Sequence, residues 1–417
     1  MQSHSLSVGC RSVLSIFAAI LIGCGIASSQ EKVLANFYDN GGEVLPHGAV
    51  TIDAAGNLYG TTFYGGLYDQ GIVFKLSPTA HGYKATTLHN FIANAIDGFG
   101  AMSGVIMDSA GNLYGATEFG GNGECTAGFG CGTVFKLSPA SDGSWTETIL
   151  HNFQGYDGWQ SYGALTWDSK GNLYGTTANG GLYDAGTVYE LSPKGASWTL
   201  KTLYNFAGGS DSSVPWNAVI FDAKGNLYGT ASQGGGSSSA CPYGCGTVFE
   251  LSPSESGWTE TILHNFTTDA SDGNYPSQAL VFDSAGNLYG TTSQGGGTLG
   301  SGIVFQLTPG SDGWTENVLH NFNDSSTDGI GPSSTLLFDA SGNLYGTTLV
   351  GGTHGEGIVF QLAPDSGAWT ENILHNFKRD NDGNWPTGLA MAPDGNLFGS
   401  TGFGGHYGDG TVFEVTP

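Results

Sequence analysis

Short apolar runs and polar turns alternate along the chain from about residue 31 to its end, and they do so with a regular period. The most constant element is the pentapeptide Gly-Asn-Leu-Tyr-Gly, which begins at residues 56, 111, 171, 225, 286 and 342 and recurs with Phe for Tyr at residue 395. Alternation with a period of two, without any helical period, predicts β-strands. The chain therefore contains seven copies of one β unit of roughly 55 residues.

Each copy divides into four short strands. In the fifth copy they are predicted over residues 278–282, 288–292, 302–307 and 314–322. An Asp three residues before the pentapeptide in six copies, and Pro393-Asp394 in the seventh, predict a tight hairpin between the first two strands.

The two ends of the repeat region are incomplete in complementary ways. The fourth strand carries Leu-His-Asn-Phe or a close variant, and the variant Leu34-Ala35-Asn36-Phe37 precedes the first complete copy. The last copy stops after its third strand, at Val415. An open solenoid would instead need polar caps at both ends. The pattern predicts an all-β fold, a single seven-bladed β-propeller of four-stranded blades over residues 31–417, closed by residues 31–37 as the missing strand of the last blade.

Several repeated motifs together resemble the GloVer tandem-repeat proteins of bacteria. They are Gly-Asn-Leu-Tyr-Gly-Thr-Thr, the Gly-Gly loop after it, the strand Gly-Thr-Val-Phe-x-Leu-x-Pro and the strand Leu-His-Asn-Phe. The resemblance covers nearly all of residues 31–417 and implies an exported, often surface-anchored protein. It supplies no activity to transfer.

The first 29 residues have the layout of an export signal. An apolar run over 13–26 follows Arg11 and precedes Ala27-Ser28-Ser29, which predicts cleavage after Ser29. Leu21-Ile22-Gly23-Cys24 gives an alternative, in which residues 1–23 are a lipoprotein signal and Cys24 carries the lipid. Either way we expect a secreted or cell-surface protein.

The net charge of the chain limits the classes of partner that it can bind. The net charge is −25, with 11 Lys plus Arg against 36 Asp plus Glu, which repels phosphate backbones and excludes nucleic acid. No second apolar segment is long enough to span a membrane. We expect a monomer.

Four cysteines follow the signal, in two close pairs. Cys125 with Cys131 and Cys241 with Cys245 predict two local disulfides, since an even count in an exported chain indicates disulfide bonding. A zinc site built from these cysteines is disfavoured because the pairs lie in different copies and lack His at metal spacing.

Aromatic residues that differ from copy to copy are the candidate ligand contacts. Connections between the second and third strands and between blades should share one face of the ring, and variable loops on a fixed scaffold commonly bind ligands. The candidates at that mouth are Trp159, Tyr162, Trp216, Tyr275 and Trp385. The alternative is that these rings pack between blades.

The position just after the Pro at which the chain enters a blade, or after the residue equivalent to that Pro, also breaks the repeat. It is occupied by His47, Met102, Tyr162, Trp216, Ser277, Ser333 and Thr387, which predicts a mouth with one aromatic side and one small, hydroxylic side. A lopsided pocket suits a single ligand.

Repeated acidic and histidine residues invite a metal hypothesis. Six carboxylates on the mouth face could collect calcium, although most precede Gly and an Asp-Gly turn accounts for them without metal; they are Asp97, Asp157, Asp211, Asp272, Asp328 and Asp382. We predict no metal site and no cofactor. The Leu-His-Asn-Phe histidines are expected to be solvated residues of the outermost strands: His89, His151, His264, His320 and His375.

Three functions remain open from sequence. The leading hypothesis is an extracellular binding protein for a carbohydrate or protein ligand. The second is a lyase or hydrolase acting on an extracellular polymer, with Glu118, His47 and His406 as its best candidates. The third is a purely structural module of the cell envelope. No residue is assigned as catalytic, because nothing in the sequence shows that these three converge and a residue repeated identically around a ring is a poor catalytic candidate.

Overall fold

A computed structural model describes residues 29–38, 44–125, 128–269, 271–297, 300–323, 327–380 and 382–417. These residues form strands and turns, without a helix. The predicted signal, apart from its last residue, and the alternative lipidation site Cys24 lie outside the described residues.

Seven antiparallel blades surround a central channel, and in each blade the four strands are numbered from the channel to the rim. Blade 1 consists of Pro46–Ile52, Leu58–Thr62, Ile72–Thr79 and Gly82–Asn90. Blade 2 consists of Ile106–Met107, Leu113–Thr117, Thr133–Pro139 and Trp145–Asn152. Blade 3 consists of Thr166–Trp167, Leu173–Thr177, Thr187–Lys194 and Ser197–Asn205. Blade 4 consists of Ile220–Phe221, Leu227–Ala231, Thr247–Ser254 and Gly257–Asn265.

The remaining three blades follow the same order. Blade 5 consists of Val281–Phe282, Leu288–Gly295, Ile303–Gly310 and Gly313–Asn321. Blade 6 consists of Leu337–Phe338, Leu344–Gly351, Ile358–Asp365 and Ala368–Asn376. Blade 7 consists of Asn384–Met391, Leu397–Phe403, Thr411–Thr416 and Gln30–Asn36. A short extra strand forms where the chain enters some of the blades, and it pairs near the end of the second strand of that blade. In blades 2 and 4 these pairs are Gly98–Phe99 with Phe119–Gly120 and Ser212–Ser213 with Gln233–Gly234. In blades 5 and 6, Gly273–Pro276 and Gly329–Pro332 pair with the second strand itself.

The ring closes as predicted. Gln30–Asn36 pairs antiparallel with Thr411–Thr416, from Gln30 opposite Thr416 to Asn36 opposite Thr411. The N-terminal strand is therefore the outermost strand of blade 7, and the all-β, seven-bladed prediction is confirmed.

The Asp before each pentapeptide organises the first hairpin of its blade. In blade 1, Asp53 Oδ1 accepts the backbone N–H groups of Ala55 and Asn57, each at 2.9 Å. Its Oδ2 accepts Asn57 Nδ2 at 2.7 Å and the Tyr59 hydroxyl at 3.0 Å. The same bonds recur in blades 2 to 6 and explain why Asp, Asn and Tyr repeat together.

The second strands form the buried centre of every blade. Their Leu-Tyr-Gly-Thr-Thr segments are buried at every position, because blades pack against both faces. The Gly of this segment lies under an aromatic ring of the third strand, and a Cβ added at Gly60 would come within 2.5 Å of the Phe74 ring. A larger residue would push the ring out of the blade.

Neighbouring blades are joined by aromatic pairs. The Phe that ends each fourth-strand motif packs edge-on against the third-strand ring of the next blade, with centroids 5.0–5.3 Å apart at all seven junctions. Such pairs add about 0.5–1.5 kcal/mol beyond the area that they bury. The junction between blades 7 and 1 uses Phe37 and Phe74 and is built like the others.

Candidate functional site

The first strands of the blades, together with the segments that lead into them, enclose a cavity of 390 Å³ in the central channel. All seven residues of the symmetry-breaking position line it, from His47 to Thr387. Within the described part of the chain, no Lys, Arg, Asp or Glu side chain lines this cavity. Its wall is therefore apolar and neutral, with hydroxyl and amide groups as the polar contacts.

Two aromatic rings dominate one side of the cavity. Tyr162 of the third blade and Trp216 of the fourth lie parallel, with centroids 4.4 Å apart and ring planes 10° from each other. The other side carries the hydroxyl groups of Ser277, Ser333 and Thr387. The lopsided mouth predicted from the sequence is thus present in the geometry of the cavity.

A buried carboxyl group fixes the Tyr162 ring. Glu118 follows the second strand of blade 2 and is only 7% exposed. Its Oε1 accepts the Tyr162 hydroxyl at 2.9 Å and Gln160 Nε2 at 2.8 Å. Burial raises the pKa of the Glu118 carboxyl above its ordinary value, although these two bonds favour the ionised form. Burial and the nearby Glu118 likewise raise the pKa of Tyr162, so its hydroxyl stays protonated and donates.

His47 is a neutral group in the cavity wall. Its Nδ1 lies 2.7 Å from the carbonyl oxygen of Met102. Burial lowers the pKa of His47 below its ordinary 6.5, although the bond to Met102 acts in the opposite direction. The imidazole therefore remains uncharged at pH 7 and Nδ1 is the donor.

The backbone turns into the channel through a left-handed residue in every blade. The residues concerned have φ between 49° and 68°: Leu45, Gly100, Gln160, Val214, Tyr275, Gly331 and Trp385. Five of them carry side chains that rarely adopt this conformation. The left-handed conformation allows these residues to form a backbone hydrogen bond to the preceding blade. The Gln160 N–H donates to the Cys131 carbonyl at 3.3 Å, and the Tyr275 N–H donates to the Cys245 carbonyl at 2.8 Å.

Both predicted disulfides are confirmed. Cys125 is bonded to Cys131 and Cys241 to Cys245, each pair within one loop between a second and a third strand. Because Cys131 and Cys245 accept the N–H groups of residues that lead into the channel, the disulfide loops support the mouth from outside.

The five predicted ligand residues do not form one surface. Tyr162 and Trp216 meet in the cavity, whereas Trp159 packs against the core of blades 2 and 3 and its Nε1 donates to Asp184 at 3.4 Å. Tyr275 packs against the core of blades 4 and 5. Trp385 is 45% exposed and packs edge-on against Phe403, outside the cavity wall.

The prediction that the Leu-His-Asn-Phe histidines are solvated is wrong. Their side chains are only 15–20% exposed, because each lies between two blades and contacts a buried Asp. These are five of the six Asp residues considered for calcium, and the sixth, Asp211, lies beside the Tyr204 hydroxyl. All six also accept a backbone N–H of their own loop, as Asp97 does from Ile92 at 3.0 Å. The six carboxylates are therefore distributed over six separate junctions.

A Glu from the next blade joins several of these His–Asp pairs. His89, Asp97 and Glu147 form one such group, and burial raises the pKa of Glu147 to about 8 despite the opposing effect of His89. The sequence predictions for the His and Asp residues did not include this Glu. The signal was the Trp-Thr-Glu segment of the fourth strand, which recurs at the same distance before Leu-His-Asn-Phe.

The three candidate catalytic residues are not brought together. Glu118 is hydrogen-bonded to Tyr162 and Gln160, and His47 is hydrogen-bonded to the Met102 carbonyl. The exposed His406 ring packs against Tyr407, and the His406 backbone N–H donates to Asn36 Oδ1. No hydrogen bond or ion pair joins any two of these three side chains in the described structure.

Within the described ranges, no helix has the length and apolar character that crossing a bilayer would require.

Comparison with known proteins identifies the repeat. The sequence model of the Gloeobacter/Verrucomicrobia repeat matches residues 24–241 and 235–417, which together span nearly the whole chain. Among curated proteins, none matches the chain significantly.

Solved structures share the fold at low sequence identity. Two are of the extracellular domain of a B. thetaiotaomicron protein, described as a one component system and as a hybrid two component system. They have TM-scores of 0.54 and 0.55 at 11% and 12% identity, and cover 91% of this chain and 40% and 39% of theirs. This chain thus spans about two fifths of their length. A Bacteroides uniformis protein described as a 6-phosphogluconolactonase has a TM-score of 0.51 at 14% identity, over 83% of this chain and 88% of its own. At such identities the likeness shows the propeller fold alone.

Proposed function

The chain belongs to the Gloeobacter/Verrucomicrobia repeat family, and from this starting point we propose that it is an exported propeller that binds a neutral extracellular ligand in its channel mouth. The observation that carries the proposal is the parallel stack of Tyr162 and Trp216 on one side of the 390 Å³ cavity. Local disulfides and the extracellular setting of two structural neighbours support export.

The cavity suits a sugar residue. Its volume lies within the range of small-molecule sites, about 300–1,000 Å³. Because Tyr162 and Trp216 cover one face of each other's ring, the outer ring face is the one that can stack on the apolar C–H face of a pyranose. The hydroxyl of Ser277 in the cavity wall offers a hydrogen bond to the sugar. No charged side chain of the described chain lines the cavity, so an anionic sugar would lose its hydration without a compensating partner. An uncharged glycan is therefore favoured over a charged one, and an uncharged peptide is the second ligand to test.

Catalysis has weaker support. The raised pKa of Glu118 is a property that a general acid needs. However, Glu118 does not line the cavity, and its Oε1 is occupied by Tyr162 and Gln160. We assign it the role of positioning Tyr162.

The proposal is tested on immobilised neutral and acidic polysaccharides and on peptides, with and without calcium, using the native protein and the variants Trp216→Ala and Trp385→Ala. Trp385 is the matched control, an exposed Trp of the same face that lies outside the cavity. Retention on a neutral glycan that is lost in Trp216→Ala alone supports the proposal. Equal loss in both variants, or retention by neither glycans nor peptides, contradicts it, and release of shortened products indicates an enzyme.

A further inference from the structure

At three junctions between blades, one His, one Asp and one Glu bring their polar atoms within 4.8 Å of one another. The His comes from the fourth strand of one blade, the Asp from the loop that follows, and the Glu from the fourth strand of the next blade. The groups are His89 with Asp97 and Glu147, His264 with Asp272 and Glu316, and His320 with Asp328 and Glu371.

The distances in these groups are longer than those of charge-assisted hydrogen bonds. His Nε2 lies 3.2, 3.4 and 3.3 Å from the Asp oxygen and 3.6, 3.7 and 3.8 Å from Glu Oε1. A hydrogen bond between imidazolium and carboxylate is about 2.7–2.9 Å long. At the junction between blades 2 and 3, Leu200 takes the place of the Glu, and there His151 Nε2 lies 2.9 Å from Asp157 Oδ2. His375 and Asp382 also lie 2.8 Å apart although Glu31 is their third group, so the wider spacing is a property of these three junctions.

This spacing matches ligands around one small ion. Bonds of about 2.1 Å to His nitrogen and carboxylate oxygen in a tetrahedron place ligand atoms about 3.4 Å apart. The six measured separations lie on both sides of that value. Three protein ligands would leave a fourth position for water.

Apart from the His of each group, these carboxylates have no cationic partner among the described residues. Oε1 of Glu147, Glu316 and Glu371 is buried and accepts no hydrogen bond. Asp97 Oδ1 is likewise buried without a partner, on a side chain that is 8% exposed. No Lys or Arg of the described chain forms an ion pair with these carboxylates. Two adjacent buried carboxylates need more positive charge than one imidazolium supplies, since an uncompensated buried charge costs several kcal/mol.

We propose that each of the three junctions binds one divalent first-row metal ion, through His Nε2 and one oxygen of each carboxylate. One nitrogen and two oxygens with an open position suit Zn²⁺ or Mn²⁺, whereas Ca²⁺ takes six to eight oxygen ligands. Each ion would cross-link two neighbouring blades, so its binding would stabilise the folded ring.

The group of Glu31, His375 and Asp382 is not included. His375 and Asp382 are 2.8 Å apart, the distance of a hydrogen bond, and the positive charge of Lys378 acts on Glu31.

The test is isothermal titration of the tag-free chain with ZnCl₂, and in a second series with MnCl₂, after removal of metal with a chelator. Three ions per chain are expected, together with a higher melting temperature. Glu147→Gln, Glu316→Gln and Glu371→Gln keep the size of the side chain and should each reduce the number from three to two. His151→Gln is the matched control, at the junction without Glu, and should leave it at three.

A second measurement uses the native chain alone, so that the proposal stays testable if the variants fail to fold. Co²⁺ added to the native chain should give the intense visible absorption of four-coordinate cobalt, at three equivalents. The proposal is overturned if neither metal binds, or if the three Glu variants bind as many ions as the native chain. It is also overturned if mild acid stabilises the ring while both metals leave it unchanged, because a shared proton then neutralises the carboxylates.

Discussion

Phe37 packs edge-on against Phe74, with ring centroids 5.0 Å apart and an angle of 62° between the rings. Phe37 directly follows the N-terminal strand and Phe74 lies in the first blade, so this contact spans the junction at which the ring closes. The Phe37 N–H also donates to the Gly410 carbonyl at 3.0 Å, which connects the same residue to blade 7.

Phe37→Ala should therefore lower the free energy of unfolding by about 2–3 kcal/mol, somewhat less than the loss from a fully buried Phe. Urea unfolding followed by tryptophan fluorescence measures this loss, with the exposed Thr86→Ala as control.

A chain starting at Gly48 should melt far below the native chain, because the outer edge of Thr411–Thr416 becomes unpaired. Equal melting temperatures would contradict closure by the N-terminal strand.

Trp216→Ala and Tyr162→Ala should each weaken binding of the ligand found in the screen by about 1–3 kcal/mol. Their effect on stability should stay within about 1.5 kcal/mol, since each removes one partner of a stacked pair at the cavity surface. Calorimetric affinity and melting curves separate the two effects. If both variants melt several degrees lower and bind as the native protein does, the rings serve packing.

Tyr114→Phe should lower the free energy of unfolding by about 1–2 kcal/mol, because the ionised Asp108 loses the hydroxyl donor 3.0 Å from its Oδ2. The natural counterpart is blade 7, where Ala392 stands in place of this Asp and Phe398 in place of this Tyr. Phe398→Tyr should therefore bring no gain. A gain of similar size in blade 7 would show that the hydroxyl needs no carboxylate partner.

We expect the free energy of unfolding to decrease in acid, because the aspartates of the first hairpins become protonated. Burial opposes their ionisation, but the bonds from Asn57 and Tyr59 hold the pKa of Asp53 below its ordinary 3.8, and similar bonds act on Asp108 and Asp283. A group whose pKa is lower in the folded state stabilises the fold above its unfolded pKa, and this contribution is lost as the pH falls through the folded pKa. Asp283→Asn should hence be less stable than the native chain at neutral pH, with a difference that shrinks below pH 3.8. A difference independent of pH would contradict the role of the charge.

Replacing Cys241 and Cys245 together by Ser should cost about 2 kcal/mol, because so short a loop removes little entropy from the unfolded chain. The larger effect should be local. Hydrogen exchange at the Tyr275 amide should become faster, since the Cys245 carbonyl that accepts it loses its support. Unchanged exchange at Tyr275 would mean that the loop holds its shape without the bond.

The sequence was sufficient for the fold because every blade repeats the same short-range signals. The Asp turn, the buried Leu-Tyr-Gly segment and the complementary ends each have a local cause that one copy reveals and six others repeat. In the fifth blade the predicted second, third and fourth strands agree with Leu288–Gly295, Ile303–Gly310 and Gly313–Asn321 to within three residues at each end. The first strand is shorter than predicted, Val281–Phe282, because the chain already pairs earlier through Gly273–Pro276.

The site was predicted less completely, since its contacts join residues far apart in sequence. Variation at one position singled out Tyr162 and Trp216, but their stacking depends on the angle between two blades. Glu118 contacts Tyr162 across a blade boundary, 44 residues away, and no local pattern marks such a pair. The burial of His89, His264 and His320 was missed for the same reason, because a carboxylate that covers each of them comes from the following blade.

Closure by the N-terminal strand has a consequence for the order of folding. The first strand of the described chain pairs with the last, so this contact has the greatest sequence separation in the molecule. A chain that emerges from the ribosome N-terminus first must keep Gln30–Asn36 without its partner until Thr411–Thr416 has also emerged. Blades 1 to 6 contain all of their strands in sequence order and can form earlier from local contacts. We therefore expect completion of the ring to be the slow step of folding, and until then the protein presents an open sheet edge that favours association with other chains.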